Sequence, residues 1–424
     1  MSQGPASCPA KLGGEPAVTL SHVPWPVVGE QEVQWMEEVV RGGKWSWMGP
    51  HEMAFCEEFA AFIGSRYAIG LANGTVTMQC ALQAVGVQPG HEVIVPGLTW
   101  VATAQAALDI GADVVLVDID PETYCLDPAA VEAAITPRTK ALIPVHIYGC
   151  MCDMDALRDL AARHDLKIIE DVAHQHGSRW QDVGAGALGD AGSFSFQQSK
   201  VLTCGEGGAV TCNDEEIYQT VFALKQVGWS APPDMQPARR YGHNYRITEM
   251  QCVLLRGGLT RIADQTARRE ESAARITEGL AQAGGPLRVA RRDPRITRQA
   301  HYALTLHFDP TQAEGLDRGQ YLTALAAEGV PMGGPYAPVY RNPLLNLYDA
   351  TSPIPYRDPA TVQDYANLKL PVTERVCEET GVVLSHYHLL AEPAYVEQLL
   401  AGIRKVNDQL PQIKAHYDAQ PKEG

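Results

Sequence analysis

The chain has no run approaching the ~20 consecutive apolar residues that a membrane-spanning helix needs. Its opening, Met1 to Ser7, lacks the basic stretch and following apolar core of roughly 7–15 residues that mark a secretory signal. Both absences predict a soluble, cytoplasmic protein with no membrane partner. Basic residues are also short in supply: 34 Lys plus Arg stand against 50 Asp plus Glu, a formal charge of −16 that repels nucleic acid and anionic surfaces. The one basic cluster, Arg291, Arg292, Arg295 and Arg298, alternates with Asp293 and Pro294 in the manner of a solvated loop, so no nucleic-acid partner is expected. The 10 cysteines run from Cys8 to Cys377 without a repeated spacing, and a chain of 424 residues needs no disulfide framework, which predicts reduced thiols. Cys150-Met151-Cys152 lacks a second pair or flanking histidines, so no metal site is expected. Internal repeats are absent too.

What the chain does have is the length for more than one core and a clear α/β rhythm. From about Pro50 to Thr211, helical patterns alternate with short apolar runs, as in a parallel sheet covered by helices. Seven strands are expected, at Tyr67–Leu71, Glu92–Pro96, Asp113–Val117, Ala141–Val145, Lys167–Asp171, Gly192–Phe196 and Gly208–Thr211. Amphipathic helices are predicted at Met53–Ile63, Val76–Val85, Thr103–Leu108, Pro128–Ile135 and Met154–His164, the fourth led by Asp127 as N-cap. A polar, Pro-rich stretch over Gly228–Gly242 precedes a long helical pattern from Thr248 to about Ala283. The remainder carries a strand over Ala300–Phe308 and helices over Arg318–Glu328 and Pro393–Gln409. The expected organisation is an N-terminal arm (1–49), a cofactor-binding large domain ending in an interdomain helix (50–283) and a smaller C-terminal α/β domain (284–424).

Lys200 closes the run Gly192-Ser193-Phe194-Ser195-Phe196-Gln197-Gln198-Ser199-Lys200, where an apolar strand delivers an amine into a turn. Asp171 ends Leu166-Lys167-Ile168-Ile169-Glu170-Asp171, and ligands of open α/β sheets sit at the carboxyl ends of such strands. Taken singly, such a lysine is a solvated charge and such an aspartate a cap or turn. Together they meet the two needs of pyridoxal phosphate: an amine to hold the aldehyde as a Schiff base and a carboxylate to keep the pyridine nitrogen protonated. Asn73-Gly74-Thr75 opens a helix after the first strand, where backbone N–H groups and the Thr75 hydroxyl favour a phosphate, or else form an ordinary capped turn. Ser195 is preferred over Ser193 as a second phosphate hydroxyl. Trp100 is placed to stack on the pyridine face or to serve as a core tryptophan. His174 is placed to bond the cofactor's phenolate oxygen or merely a loop carbonyl.

These residues, with Glu170-Asp171-Val172-Ala173-His174, Ser193-Phe194-Ser195-Phe196, Gly205-Glu206-Gly207-Gly208 and Gly242-His243-Asn244-Tyr245-Arg246, give the chain an ordered set of motifs over almost its whole length. The set resembles the DegT/DnrJ/EryC1/StrS aminotransferases. The resemblance implies a fold-type I pyridoxal phosphate-dependent transferase, with a large domain holding a seven-stranded, mainly parallel sheet and a smaller C-terminal α/β domain. It implies that Lys200 binds the cofactor and shuttles the proton, and that Asp171 pairs with the pyridine nitrogen. Gly74, Thr75 and Ser195 would hold the phosphate, with Asn244 of a second subunit completing the site of a homodimer. Members with histidine in place of the lysine are dehydratases, so Lys200 argues for transamination.

Gln197-Gln198-Ser199-Lys200-Val201-Leu202, the opening Leu12-Gly13-Gly14-Glu15-Pro16-Ala17 and Ser385-His386-Tyr387-His388-Leu389-Leu390 are similar to the aminocyclitol branch. That branch moves the amino group of L-glutamine to scyllo-inosose or 2-deoxy-scyllo-inosose in the biosynthesis of aminoglycosides such as streptomycin. Arg246 is a candidate for the donor carboxylate or a structural tie of its loop. Tyr336, Tyr340, His386 and His388 are candidates for the polyol side, with core or surface roles as the alternative. The rival expectations are a nucleotide-sugar aminotransferase using L-glutamate, which would need a basic surface for a diphosphate, and a cofactor-binding regulator. The regulator would carry a DNA-binding segment or a damaged lysine–aspartate pair, and neither is present.

Overall fold

The strands of the large sheet are short and mostly buried, as expected for strands covered by helices on both faces. The computed structural model of the chain describes residues 8–233, 235–238, 240–345 and 363–419, so Met1 to Ser7 lie outside the described residues. The strands are β1 (Tyr67–Leu71), β2 (Glu92–Pro96), β3 (Asp113–Val117), β4 (Thr139–Leu142), β5 (Lys167–Asp171), β6 (Ala191–Ser195) and β7 (Gly208–Cys212). They form one sheet in the order β1-β7-β6-β5-β4-β2-β3. β3, β2, β4, β5 and β6 run parallel, and β7 lies antiparallel to both β6 and β1. The fold is thus the expected α/β architecture with a seven-stranded, mainly parallel sheet.

Helices occupy Pro50–Ile63, Gly74–Ala84, Val101–Asp109, Pro128–Ala134 and Met154–His164. Asp127 accepts from the Ala129 N–H, and Pro128 takes the first turn, where its missing donor costs nothing. β4 ends at Leu142 instead of reaching Val145, because Pro144 has no N–H for the ladder. Contact with β5 nevertheless continues: the Asp171 N–H donates to Pro144 O at 2.9 Å, and Val145 bridges Asp171. Two helices, Glu30–Gly42 and Glu215–Lys225, were not expected from the pattern.

The helix Glu249–Ala283 starts at a capping box formed by Thr248 and Gln251 and rises about 50 Å. Its first half buries Cys252, Leu255 and Ile262 in the main core, and its second half buries Ala273, Ile276 and Leu280 in a second core. That second core lies beneath three antiparallel strands, β8 (Leu287–Val289), β9 (Ala303–Phe308) and β10 (Gly381–Ser385), in the order β8-β9-β10. β9 starts three residues later than the apolar pattern suggests, because His301 adopts a left-handed φ of 52° that breaks the extended run. The helix expected over Pro393–Gln409 ends at Asn407, and a separate helix, Leu410–Asp418, begins with Pro411 in its first turn.

One buried ion pair staples the start of the helix Pro50–Ile63. Lys225 Nζ lies 2.5 Å from Glu52 Oε1, with both side chains almost wholly excluded from solvent. Glu52 also accepts the Met48 N–H, and its own N–H is capped by Glu249. Removing one partner leaves a buried charge without its counterion. Lys225→Met is therefore expected to lower the unfolding free energy by about 3–5 kcal/mol. Urea titration of the purified variant measures this, and an unchanged midpoint would refute it.

Candidate active site

At the carboxyl ends of β1, β2, β5 and β6 lies a cavity of about 600 Å³. Asn73 terminates the chain leaving β1 and caps the helix Gly74–Ala84, its Oδ1 accepting the N–H groups of Thr75 and Val76 at 3.1 Å each. The Thr75 N–H is thereby engaged, which leaves the Gly74 N–H and the Thr75 hydroxyl as this corner's donors. A Cβ on Gly74 would lie 2.7 Å from Ser195 Cβ, so only glycine lets the helix start approach β6 this closely. Gly74, Thr75 and Ser195 all line the cavity. Ser193, two residues before, holds its hydroxyl 2.7 Å from Thr77 Oγ1, which leaves Ser195 as the serine hydroxyl at this corner.

Asp171 sits at the end of β5. Its Oδ2 accepts from Thr103 Oγ1 at 2.8 Å and its Oδ1 from the Ala173 N–H at 3.1 Å, so the carboxylate is aimed by two fixed donors. Thr103 Oγ1 is itself 2.8 Å from Thr99 Oγ1. Behind Asp171, the fully buried Glu170 accepts the N–H groups of Gly186, Leu188 and Gly189 and lies 3.1 Å from His146 Nε2. The neighbouring carboxylates of Glu170-Asp171 thus face opposite sides of the strand, one organising a loop and one facing the cavity.

Lys200 enters from the turn after β6. Burial lowers its amine pKa from the usual lysine range to about 8, an effect that the Asp171 carboxylate partly opposes. Its Nζ lies 4.7 Å from the centroid of the Tyr302 ring. On that ring stacks His174, with centroids 3.9 Å apart and an interplanar angle of 8°. His174 Nδ1 accepts the Tyr148 N–H at 3.1 Å, and burial, reinforced by Lys200, holds the imidazole pKa well below its ordinary value. A neutral ring that accepts at Nδ1 carries its proton on Nε2, so His174 is a fixed donor. Trp100 lines the cavity mouth, 58% exposed, with its ring 5.4 Å from that of Tyr336.

Eight of the residues singled out in the sequence therefore share one wall: Lys200, Asp171, Gly74, Thr75, Ser195, His174, Trp100 and Tyr336. Five do not line it. Asn244 is exposed, and Arg246 pairs through its backbone with Leu71, on a segment outside this chain's cavity. The Tyr340 hydroxyl donates to Glu374 at 2.7 Å from a buried position, off the cavity wall. His386 is 1% exposed and bonds Ser199 O, which removes it from the cavity wall as well. His388, held 2.8 Å from the Tyr395 hydroxyl, does not line the cavity either. The sequence reading missed Thr103 and Tyr302. Thr103 was discoverable one helical turn after Trp100, whereas nothing near Tyr302 in the chain marks it.

A model of the DegT/DnrJ/EryC1/StrS aminotransferase family matches residues 26–398. The chain belongs to this family. It is an aminotransferase. Among its relatives, a Streptomyces kanamyceticus protein that bears the provisional name L-glutamine:3-amino-2,3-dideoxy-scyllo-inosose aminotransferase is 38% identical over 416 residues, covering 95% of this chain and 98% of that one. The L-glutamine:scyllo-inosose aminotransferase of Streptomyces griseus is 35% identical over 425 residues, covering 95% and 98%. An aminotransferase structure from Psychrobacter cryohalolentis superposes with a TM-score of 0.82 at 31% identity, covering 92% of this chain and all of that one.

A lysine whose pKa is about 8 reacts with electrophiles at a pH where ordinary lysines, near 10.4, are still protonated. Competitive acetylation of the cofactor-free protein, read by peptide mass spectrometry, is expected to give a Lys200 midpoint of about 8. A midpoint in the ordinary lysine range would show that the amine is not desolvated.

Proposed function

We propose that the protein uses pyridoxal 5′-phosphate to transfer the amino group of L-glutamine to the ketone of a cyclitol. The observation that carries the cofactor assignment is the convergence, in one cavity, of a desolvated lysine, a carboxylate with fixed donors and a glycine-opened helix N-terminus. These residues suit the group. Lys200 would hold the aldehyde carbon and Asp171 the protonated pyridine nitrogen. The Gly74 N–H with the Thr75 and Ser195 hydroxyls would hold the phosphate. Trp100 would cover a ring face, and the His174 Nε2–H would donate to the phenolate oxygen. When bound, pyridoxal phosphate supplies an electron sink for the pair released at the substrate α-carbon.

The chain's own part is proton handling and orientation. Lys200, with its lowered pKa, takes the proton from the donor Cα and returns one to the acceptor carbon in the reverse half-reaction. Asp171, oriented by Thr103 and the Ala173 N–H, keeps its negative charge directed at one position. His174, held neutral, donates without adding a competing cation.

The substrate assignment rests on the names of the relatives and on Gln197-Gln198-Ser199, the aminocyclitol-like run before Lys200. A further support is charge: Lys200 is the only lysine or arginine on the described cavity wall, so nothing there is built for a diphosphate. Within the cyclitol class, scyllo-inosose and 2-deoxy-scyllo-inosose are the acceptors proposed. We also infer a homodimer in which Asn244 of the partner subunit completes each site. Tyr241 at 84% exposure, next to the stacked pair His243 and Tyr245, together with exposed Trp100, offers aromatic surface that a second copy would cover.

L-Glutamine labelled with ¹⁵N at the α-position is expected to pass its label to scyllo-inosose or 2-deoxy-scyllo-inosose in the presence of cofactor, detected by mass spectrometry. Lys200→Ala should abolish transfer, and Asp171→Asn should slow it by orders of magnitude while the fold persists. Transfer to a nucleotide-linked keto-sugar from glutamate, with none to either cyclitol, would reject the substrate assignment. Full activity of Asp171→Asn would reject its role.

A further inference from the structure

The turn that carries Lys200 is held from outside its own sheet. Trp25 Nε1, on the N-terminal arm, donates to Gln198 O at 3.0 Å. His386 Nε2, on the small-domain side, bonds the Ser199 carbonyl at 2.9 Å. The Tyr302 hydroxyl lies 3.1 Å from Ser199 Oγ, and the same ring lies beneath the Lys200 ammonium. The holders also touch each other: Trp25 packs edge-on against His386 with centroids 4.6 Å apart, and Tyr302 lies 5.8 Å from His386 at 28°. Inside the turn, the Lys200 N–H donates to Gln197 O and the Ser199 N–H to Gln197 Oε1.

We propose that His386 is a positioning residue for Lys200: its Nε2–H fixes the carbonyl of the peptide bond that joins Ser199 to Lys200, and with Trp25 and Tyr302 it clasps the turn. Three observations carry this. His386 is buried and off the cavity wall, so direct contact with substrate is not its task. Its Nδ1 is buried without a partner among the described residues, so the bond to Ser199 O is the ring's one polar engagement there. Ser199 and Lys200 have no regular strand ladder of their own, since β6 ends at Ser195. A lysine reaches its target through four rotatable bonds, and a displacement of about 1 Å at a reacting group can cost about 100-fold in rate. The clasp sets where those four bonds begin, and it ties that point to the small domain and the arm. The proposal rests on Lys200 being the reactive amine.

Three variants of the full-length protein test it: His386→Leu, His386→Gln and Trp25→Phe. In the holoenzyme, His386→Leu is expected to lower kcat about 10- to 100-fold with the KM for L-glutamine held within about twofold. In the cofactor-free protein, the same change should raise hydrogen exchange of the backbone at 197–202 about tenfold and alter the acetylation rate of Lys200 relative to other lysines. His386→Gln keeps an N–H donor where Nε2 stands and should return both readouts to within about threefold of the parent. Should His386→Leu fail to fold, Trp25→Phe removes the indole N–H donor while keeping an aromatic ring, and is expected to lower kcat with KM unchanged and to raise exchange in the same turn. A rise in KM with kcat intact would make His386 a substrate contact and overturn the proposal. Unchanged exchange and acetylation in the folded variants would overturn it as well. Transamination surviving in Lys200→Ala would instead remove the lysine assignment itself, a result distinguishable from either.

Discussion

A primary amine stays protonated near neutral pH wherever water can reach it, so a lysine that must exchange protons and bonds has to be withdrawn from solvent without being neutralised by a close ion pair. Lys200 is withdrawn from solvent in this way. Lys200 is packed against an aromatic ring, and burial lowers its pKa to about 8, while the one opposing charge, Asp171, is already engaged by Thr103 and the Ala173 N–H. An Asp171 swung into direct contact with the ammonium would restore its pKa and leave the amine protonated.

The architecture keeps the two groups apart and still within one cavity. Parallel strands deliver Asp171 and Ser195 from adjacent positions, because β5 pairs with β6 and both end at the same edge of the sheet. The helix Gly74–Ala84 closes the third side, and its approach depends on the missing Cβ of Gly74. The remaining wall, Tyr302 and Tyr336, comes from after the long helix, which is rooted in both hydrophobic cores and so sets the distance between them. The same helix holds Glu249, which caps the helix start next to the buried Lys225–Glu52 pair, so the site's frame and its farthest support share one element.

Lys200, Asp171, Gly74, Thr75 and Ser195 were legible in the sequence because each follows directly from a strand end or a helix start, and those junctions are local. The positions of the seven strands were legible for the same reason: burial on both faces writes a continuous apolar run. Errors arose where local pattern competes with a single backbone atom, as at Pro144, which ends a ladder, or at His301, whose left-handed turn delays β9. Tyr340 and His386 lie off the cavity wall, and their placement was not legible because an aromatic or imidazole residue has the same local signature whether it lines a cavity or is buried behind it.

By itself, then, the sequence determined the sheet and the residues at its strand and helix ends that share one cavity, since these depend on hydrophobic periodicity and on positions adjacent to element ends. Only the tertiary structure decided which side chains surround them. Thr103 meets Asp171 across 68 residues, Gln198 O accepts from Trp25 across 173, and Ser199 O is bonded by His386 at a separation of 187. Contacts of that range depend on how two cores dock through a shared helix, and no local spacing encodes a docking geometry.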